Sequence, residues 1–340
     1  MAKTRVTIVG CGFMGTAIAI VLRSLYHDIE VIGHDKDLGH SQRAEKLKAI
    51  DHSSWNLPSA CENAQLVILA IPAESIEATI RAIAPDLMPG AIVTDTCAAK
   101  SSIVEAVKKY MPAKATYISS DIIFSPARLS GDASIESITP ELFKGAAWTL
   151  TPIVASPDAV DSFTSLVTAT GAMPIFMDAI EHDGLRLAVN IVPAALSSAL
   201  MLAVSEDEAW RERIWLAGTT FGAATANVEF TNPTDIAGAL VAQPEASTHW
   251  LNQLMLQLTD MRDAIEQRRA DKLETILKSA ADAREHWTAE WYKGREQSQA
   301  PIDVKRPSLL GMVVGDRLAT QMERGYPTKT DKDKDKKSRR

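Results

Sequence analysis

Short apolar segments alternate with amphipathic stretches through the first half of the chain. Six mostly apolar segments are predicted to be strands: residues 5–9, 30–33, 66–71, 91–94, 116–119 and 147–150. After the first segment, apolar residues recur at helical spacing at Ala17, Ile18, Val21, Leu22 and Leu25. Short apolar strands that are separated by helices are typical of a parallel sheet covered on both faces. The pattern therefore predicts an α/β domain with a doubly wound parallel sheet.

The second half of the chain changes to helical periodicity. Three apolar stripes are predicted, at positions 185, 189, 192, 196 and 200, at 251, 254, 258, 261 and 265, and at 273, 276 and 277. Pro193 interrupts the first stripe and is expected to kink that helix. We place residues 1–178 in the α/β domain and residues 179–300 in an all-α domain. Helices this apolar are expected to pack on one another or against a second subunit.

The end of the chain differs from both domains. Residues 301–327 are predicted to be a C-terminal extension with a short helix around residues 309–322. Residues 328–340 carry seven Lys or Arg, three Asp and no apolar side chain, which predicts a disordered basic tail. This tail is either a weak electrostatic handle or, as we favour, a solubilising end.

Composition and charge limit the functional classes. The net charge is −7, and since the tail contributes +4, the rest carries −11, which argues against a nucleic-acid partner. No apolar run reaches the roughly 18 residues of a membrane span, and the first strand begins at once, so we expect neither a membrane segment nor a leader peptide. Cys11, Cys61 and Cys97 lack metal-type spacing. We therefore expect free thiols, no metal site and a cytoplasmic protein.

A glycine-rich turn directly follows the first predicted strand and opens the first helix. It reads Gly10-Cys11-Gly12-Phe13-Met14-Gly15. Glycines in this G-x-G-x-x-G pattern permit a tight turn and close backbone approach, and the helix N-terminus attracts a pyrophosphate. The second strand leads to Asp35, which is placed to accept hydrogen bonds from an adenine ribose. Motif, strand, helix and acid together predict a Rossmann-type dinucleotide site rather than an unliganded turn.

The acid also bears on the choice of cofactor. A carboxylate at Asp35 repels a 2′-phosphate and so favours NAD, although the neighbouring Lys36 keeps NADP open. After the third predicted strand, Ile71, Pro72 and Ala73 either run along the cofactor or simply end the strand.

Five further segments resemble the prephenate/arogenate dehydrogenase family, the enzymes that make the tyrosine precursor. They are residues 95–100 (DTCAAK, similar to D-x-x-S-x-K), 121–126 (DIIFSP, similar to H-P-M-F-G-P), 148–152 (WTLTP, similar to a strand ending in L-T-P), 181–183 (EHD, as in the family) and 190–194 (NIVPA, similar to S-H-L-P-H). The resemblance covers about residues 4–300. It implies a Rossmann-type domain followed by an all-α, 6-phosphogluconate-dehydrogenase-like domain, a homodimer formed through that helical domain, and Asp95 beside the cofactor.

The chain differs from the family at the residues that bind and convert the family's substrate. In the family, a hydride passes from the ring carbon bearing the 4-hydroxyl to NAD(P)+, and decarboxylation makes the ring aromatic. Asp121 replaces the histidine that accepts the hydroxyl proton, and Ala98 replaces the serine that supports it. Ile191 and Ala194 replace both histidines of S-H-L-P-H, and Ala226 stands in for a carboxylate-binding arginine. The cofactor half is kept, whereas the residues that handle prephenate are replaced.

Five polar side chains are candidates for the altered site. Asp121 either serves as the base, since a buried carboxylate can take a hydroxyl proton, or is a cap or loop residue. Lys100 either touches cofactor or substrate or forms a surface ion pair. Asn190 either orients a polar substrate or caps free carbonyl groups. Arg128 and Arg186 are candidate grips for the carboxylate of an acidic small-molecule substrate, or ordinary surface arginines.

Three functions remain open from the sequence. The favoured one is an NAD(P)-dependent dehydrogenase of this family with a remodelled pocket, because a dinucleotide domain joined to a helical domain usually encloses a substrate. The second is a dehydrogenase of another small hydroxy acid, of the β-hydroxyacid type, which Asn190 suits, although Arg186 stands where a lysine would be expected. The third is a non-catalytic NAD(H)-binding protein, which the replaced residues favour.

Overall fold

The computed structural model describes residues 3–125, 135–206, 208–230 and 233–298, and for residues 229–230 and 292–298 it describes the backbone alone. The predicted C-terminal extension and basic tail lie outside the described residues. The described chain divides between Asp178 and Ala179 into two compact units. We call the first unit 1 and the second, Ala179–Ser298, unit 2.

Strands and helices alternate along unit 1. Its described elements are β1 (Thr4–Val9), α1 (Phe13–Leu25), β2 (Ile29–His34), α2 (Leu38–Lys46), β3 (His52–Ser53), α3 (Leu57–Cys61), β4 (Leu66–Leu69), α4 (Ala73–Ile83), β5 (Ile92–Asp95), α5 (Ser101–Tyr110), β6 (Thr116–Ile123), β7 (Ala147–Val154), α6 (Pro157–Ala169) and β8 (Met173–Phe176). Two short 3-10 helices, Ile135–Ser137 and Pro140–Phe143, precede β7.

The eight strands form one sheet in the order β3-β2-β1-β4-β5-β6-β7-β8. The predicted α/β fold with a doubly wound sheet is confirmed, and all neighbouring strands are parallel except β6 and β7. That antiparallel pair differs from the predicted parallel sheet, and β3 and β8 were not predicted. The register pairs Val9 with His34 and Leu69 with Asp95, so β1, β2, β4 and β5 all end at one edge of the sheet.

Apolar clusters cover both faces of the sheet, as its continuously apolar strands require. An aromatic series extends one cluster to the sheet edge. Phe13, at the start of α1, meets Phe124 edge to face at 6.4 Å, and Phe124 meets Phe143 at 5.4 Å between ring centroids. The beginning of α1 and the chain just after β6 are thereby packed together.

Unit 2 is helical in its described part. Its elements are α7 (Ala179–Arg186), a π-helical turn (Leu187–Ile191), α8 (Val192–Ser205), α9 (Trp210–Arg213), α10 (Thr219–Thr225), α11 (Asn227–Phe230), α12 (Pro233–Ala242), α13 (Pro244–Glu266) and α14 (Ala270–Ser298). Pro193 falls in the first turn of α8, where a missing N–H costs little, and the expected irregularity is the π turn just before it.

The apolar stripes of unit 2 are largely exposed rather than packed inside. Its small core contains the buried side chains Leu187, Ile191 and Val192. By contrast Leu185, Val189, Leu196 and Leu200 are exposed, as are Leu251, Leu258 and Ile265 on α13. By length and composition alone, one described helical stretch, Ala179–Ser205, could cross a membrane, with 28% of its most apolar window buried. A helix covered by another protein surface has the same composition.

Candidate functional site

Each of the three glycines in the turn between β1 and α1 has a different structural role. Gly10 has φ +94°, and a Cβ there would lie 2.2 Å from the Ala70 carbonyl oxygen. A Cβ on Gly15 would lie 1.9 Å from the Gly10 oxygen, so this glycine allows the helix to pack on the turn. A Cβ on Gly12 would meet no described atom within 4 Å. Gly12 thus borders open space at the N-terminus of α1, where a ligand backbone can approach closely.

The start of α1 suits an anion. Gly12 is the N-cap, no described side chain caps it, and the first turn carries no acidic residue. Phe13 and Met14 are half-buried in that turn. Exposed N–H groups and the positive end of the helix dipole favour a phosphate at such a terminus. Ile71 and Pro72 follow β4 at the same sheet edge and are also half-buried.

The Asp35 carboxylate is fixed against the glycine turn. Its Oδ2 accepts a hydrogen bond from the Cys11 backbone N–H at 2.7 Å, and its Oδ1 accepts one from the Asp37 N–H at 2.8 Å. The side chain is only 8% exposed. A carboxylate oxygen can accept more than one hydrogen bond, so both oxygens keep capacity for ribose hydroxyls. The residues present therefore fit a dinucleotide.

A buried ion pair lies where β5 ends. Lys100 and Asp95 are both fully buried, and Lys100 Nζ lies 2.8 Å from Asp95 Oδ1. Lys100 Nζ also donates to the Ser120 carbonyl oxygen of β6. Asp95 Oδ1 additionally accepts from the Cys97 N–H at 3.0 Å. The alternative that Lys100 forms an ion pair agrees with the structure, but the pair is buried rather than at the surface. Asp95 holds the following loop, and its contact with the cofactor stays a prediction.

Charges inside this cluster shift several pKa values. Burial acts to lower the pKa of Lys100, but the Asp95 carboxylate, with further help from Cys97 and Asp121, outweighs it, and the pKa is raised. Burial, followed by the Asp95 charge, raises the pKa of the Cys97 thiol and of the Tyr117 phenol well above their usual values. Cys97 is therefore a packing residue at neutral pH rather than a nucleophile.

Asp121 lies inside β6, not in a cap or a loop as one alternative had it. It is 3% exposed, and in the antiparallel ladder it stands opposite Thr149 of β7. Its strand runs beyond the end of β5, since the β5 ladder stops at the pair of Asp95 and Ser119. Asp121 thus belongs to the same edge of unit 1 as the Lys100–Asp95 pair.

The other three candidate residues do not lie in the described part of unit 1. Arg128 lies outside the described residues. Arg186 ends α7 in unit 2 and is half-buried, and Asn190 is an exposed member of the π turn. Within the described residues, no three His, Cys, Asp or Glu side chains are grouped so as to hold a metal ion.

Several polar contacts of the site were not found from the sequence. The Ser120 hydroxyl donates to the Asp95 carbonyl oxygen at 2.7 Å and pairs with the Thr94 hydroxyl at 2.9 Å. Together with Lys100 these contacts join the ends of β5 and β6. Small hydroxyl residues inside an apolar strand were the available signal, because buried hydroxyls need partners.

The family comparison agrees with this geometry. Residues 18–175 match the family model "Prephenate dehydrogenase, nucleotide-binding domain". A prephenate dehydrogenase of Lactococcus lactis is 26% identical over 199 residues, which cover 58% of this chain and 53% of that relative. The chain therefore aligns with about half the length of that relative. The prediction of a nucleotide-binding domain is confirmed.

Two solved structures share the fold. A prephenate dehydrogenase from Aquifex aeolicus, in complex with hydroxyphenyl propionate and NAD+, has a TM-score of 0.70 at 18% identity, covering 84% of this chain and 99% of that one. The Synechocystis arogenate dehydrogenase has a TM-score of 0.62 at 21% identity, covering 84% and 100%. The predicted Rossmann-type sheet followed by a helical region is thereby confirmed.

Proposed function

We propose that the chain is an NAD(P)-dependent oxidoreductase of the prephenate/arogenate dehydrogenase type with a remodelled substrate site, because residues 18–175 match the nucleotide-binding domain of that family. The observation that carries this proposal is the open approach at Gly12 beside the fixed Asp35 carboxylate. NAD is the proposed cofactor, because a carboxylate at the ribose repels a 2′-phosphate.

The proposed substrate is a small cyclohexadienyl acid such as prephenate or arogenate. Oxidation removes a hydride from the hydroxyl-bearing ring carbon, and NAD+ is the hydride acceptor when bound. The hydroxyl proton passes to a base, and carbon dioxide leaves as the ring becomes aromatic. Asp121 is the proposed base, because it stands at the position of the family's histidine. Three residues downstream, Phe124 packs against Phe13 of the glycine turn, which supports placing Asp121 near the cofactor.

The other candidate residues keep supporting roles in this proposal. Arg128 and Arg186 are proposed grips for the substrate carboxylate, and Asn190 is a proposed polar contact. Lys100 is fully buried and bound to Asp95 and to β6, so we assign it a positioning role rather than a substrate contact. By tying the end of β5 to Ser120, it fixes the residue next to Asp121.

An activity assay on the full chain tests this function. NAD+ is supplied with prephenate or with arogenate, and NADH absorbance is followed. Asp121→Asn is expected to lower kcat by at least about 100-fold, the usual contribution of a general base. Asp161→Asn, an exposed aspartate on α6, is the matched control and should retain full activity.

The other functions give different results in the same assay. Tight NADH binding with no turnover of either acid would reject the proposed reaction and favour a non-catalytic NAD(H)-binding protein. A β-hydroxy acid is supplied as a third substrate, and its turnover in place of both would favour the second dehydrogenase type. An active Asp121→Asn protein would remove Asp121 as the base.

We further propose that unit 2 pairs with a second copy of the chain. Among the described residues, all but four of the large exposed apolar side chains lie in unit 2, and Val189 on the π turn is 70% exposed. Apolar surface is stabilised by about 25 cal/mol per Å² when it leaves water, and exposed patches of several hundred Å² mark interfaces. If a second copy covers the apolar stretch Ala179–Ser205, that stretch needs no membrane to leave water, which supports the proposed cytoplasmic location.

Sedimentation equilibrium tests the homodimer. The wild-type chain is expected to have twice the mass of one chain at micromolar concentration. Val189→Glu with Leu196→Glu should give a folded monomer, whereas Met173→Glu, at an exposed site in unit 1, should leave the dimer intact. A monomeric wild-type protein would refute the proposal.

A further inference from the structure

A histidine stands beside the acid that faces the proposed ribose position. His40, in the first turn of α2, places its Nδ1 3.4 Å from Asp35 Oδ2. The ring is about half exposed, whereas the carboxylate is 8% exposed and held by two backbone N–H groups. A fixed carboxylate and an accessible imidazole therefore share one small charged site, and imidazole is the class of side chain used in proteins for charge changes near neutral pH.

The neighbouring charges are mostly committed elsewhere. The titratable groups on α2, on its N-terminal segment and on the elements beside it are Glu30, His34, Lys36, Asp37, Arg43, Glu45, Lys46, His52 and Glu136. Asp37 caps α2 by accepting from the Gly39 N–H, and Glu45 accepts from the Ser53 N–H. Arg43 pairs with Glu136 at 3.4 Å, and His34 Nδ1 contacts the Ser54 carbonyl oxygen at 2.9 Å.

We propose that His40 is a specificity-determining residue that sets the preference between NAD(H) and NADP(H) according to its protonation. This inference rests on the proposed dinucleotide function. With a neutral imidazole the pair carries one negative charge, which repels the 2′-phosphate of NADP(H). With an imidazolium the pair is neutral, and the repulsion disappears. The carboxylate oxygens still accept from ribose hydroxyls in both states, so the affinity for NADH changes little.

The expected effect is a shift in relative affinity. The imidazole class of side chain ordinarily changes its charge between about pH 6 and pH 8, so this range is chosen for the comparison. At an effective dielectric constant between those of protein and water, one unit charge a few ångströms from a phosphate changes affinity about five- to tenfold. We expect the ratio of NADPH affinity to NADH affinity to rise by that factor from pH 8.5 to pH 6.0. This range stays above the sequence pI of about 5.6.

The experiment is a pair of binding titrations on the full chain. Dissociation constants for NADH and NADPH are measured by nicotinamide fluorescence from pH 6.0 to 8.5 at constant ionic strength. The 2′-phosphate itself titrates near pH 6, so the histidine effect is the difference between the wild type and His40→Asn. His40→Lys carries a permanent charge and should favour NADPH throughout the range. His27→Asn, an exposed histidine at the opposite edge of the sheet, is the matched control.

The outcomes separate this inference from the function it rests on. A ratio that rises with acid in the wild type and in His27→Asn, but much less in His40→Asn, supports it. NADH binding together with an affinity ratio that has the same pH dependence in the wild type and in His40→Asn overturns the role of His40 and leaves the dinucleotide site standing. Binding of neither nucleotide at any pH overturns both.

Discussion

Removing the buried Lys100 charge tests most directly whether the Lys100–Asp95 pair holds the ends of β5 and β6 together. Lys100→Met leaves the Asp95 carboxylate buried without its cation, and Asp95→Asn leaves the ammonium buried without its anion. At 2.8 Å and an effective dielectric constant of about 20, the attraction between the two charges amounts to about 6 kcal/mol. Desolvation costs several kcal/mol for each ion, so the intact pair contributes little net stability. Either single substitution should cost about 3–5 kcal/mol, whereas the double variant should cost much less than the sum.

Hydrogen exchange during urea titration is the assay, followed at the amide groups of β5 and β6. This readout separates the opening of the sheet from the unfolding of unit 2. Lys108→Met, which breaks an exposed pair with Glu105 at 3.4 Å, is the matched control and should cost no more than about 1 kcal/mol. Additive single effects, or a Lys100→Met cost equal to that of the control, would refute the reasoning.

The raised pKa of Lys100 also fixes the pH range of this effect. A basic group whose pKa is higher in the folded state contributes stability that is complete below its unfolded pKa and is lost as pH rises through the folded one. With an ordinary value of 10.5 and a raised folded value, the cost of Lys100→Met should be constant between pH 6 and 9. A cost that falls within that window would contradict the buried pair.

Three further predictions concern the cofactor half. Gly12→Ala should weaken NADH binding at least about tenfold with little loss of stability, whereas Gly15→Ala should destabilise the fold by about 1–3 kcal/mol, as calorimetry and NADH titration can show. Asp35→Ala should weaken NADH relative to NADPH in the same titration, and an unchanged ratio would contradict its ribose role. A thiol reagent at pH 8 should label the folded chain only slowly, because all three thiols are buried. Burial is the leading cause that raises the thiol pKa to about 12 at Cys11 and Cys61 and well above the usual value at Cys97. Labelling of all three at the rate of the unfolded chain would contradict that burial.

The strands, the helices and the glycine turn of unit 1 could be predicted because each depends on residues that are close together in the sequence. Alternating apolar periods predict strands and helices, and the glycine turn needs only the strand before it and the helix after it. Asp35 follows from the length of one β-α-β segment. The structure adds that the Asp35 carboxylate is bound to Cys11, a contact that closes only when β1 and β2 pair.

Other features required the tertiary structure because they depend on pairings between distant segments. The antiparallel direction of β7 is invisible to periodicity, since an apolar strand has the same pattern in either direction. Burial of Lys100 follows from the packing of the loop after β5 beneath β6, which no local signal encodes. In unit 2, a helix that is buried in its own core and a helix that faces another chain would have the same apolar stripe in the sequence. The spacing of the apolar residues predicted the helices, whereas only the packing of those helices shows that the side chains of Leu185 and Val189 stay exposed.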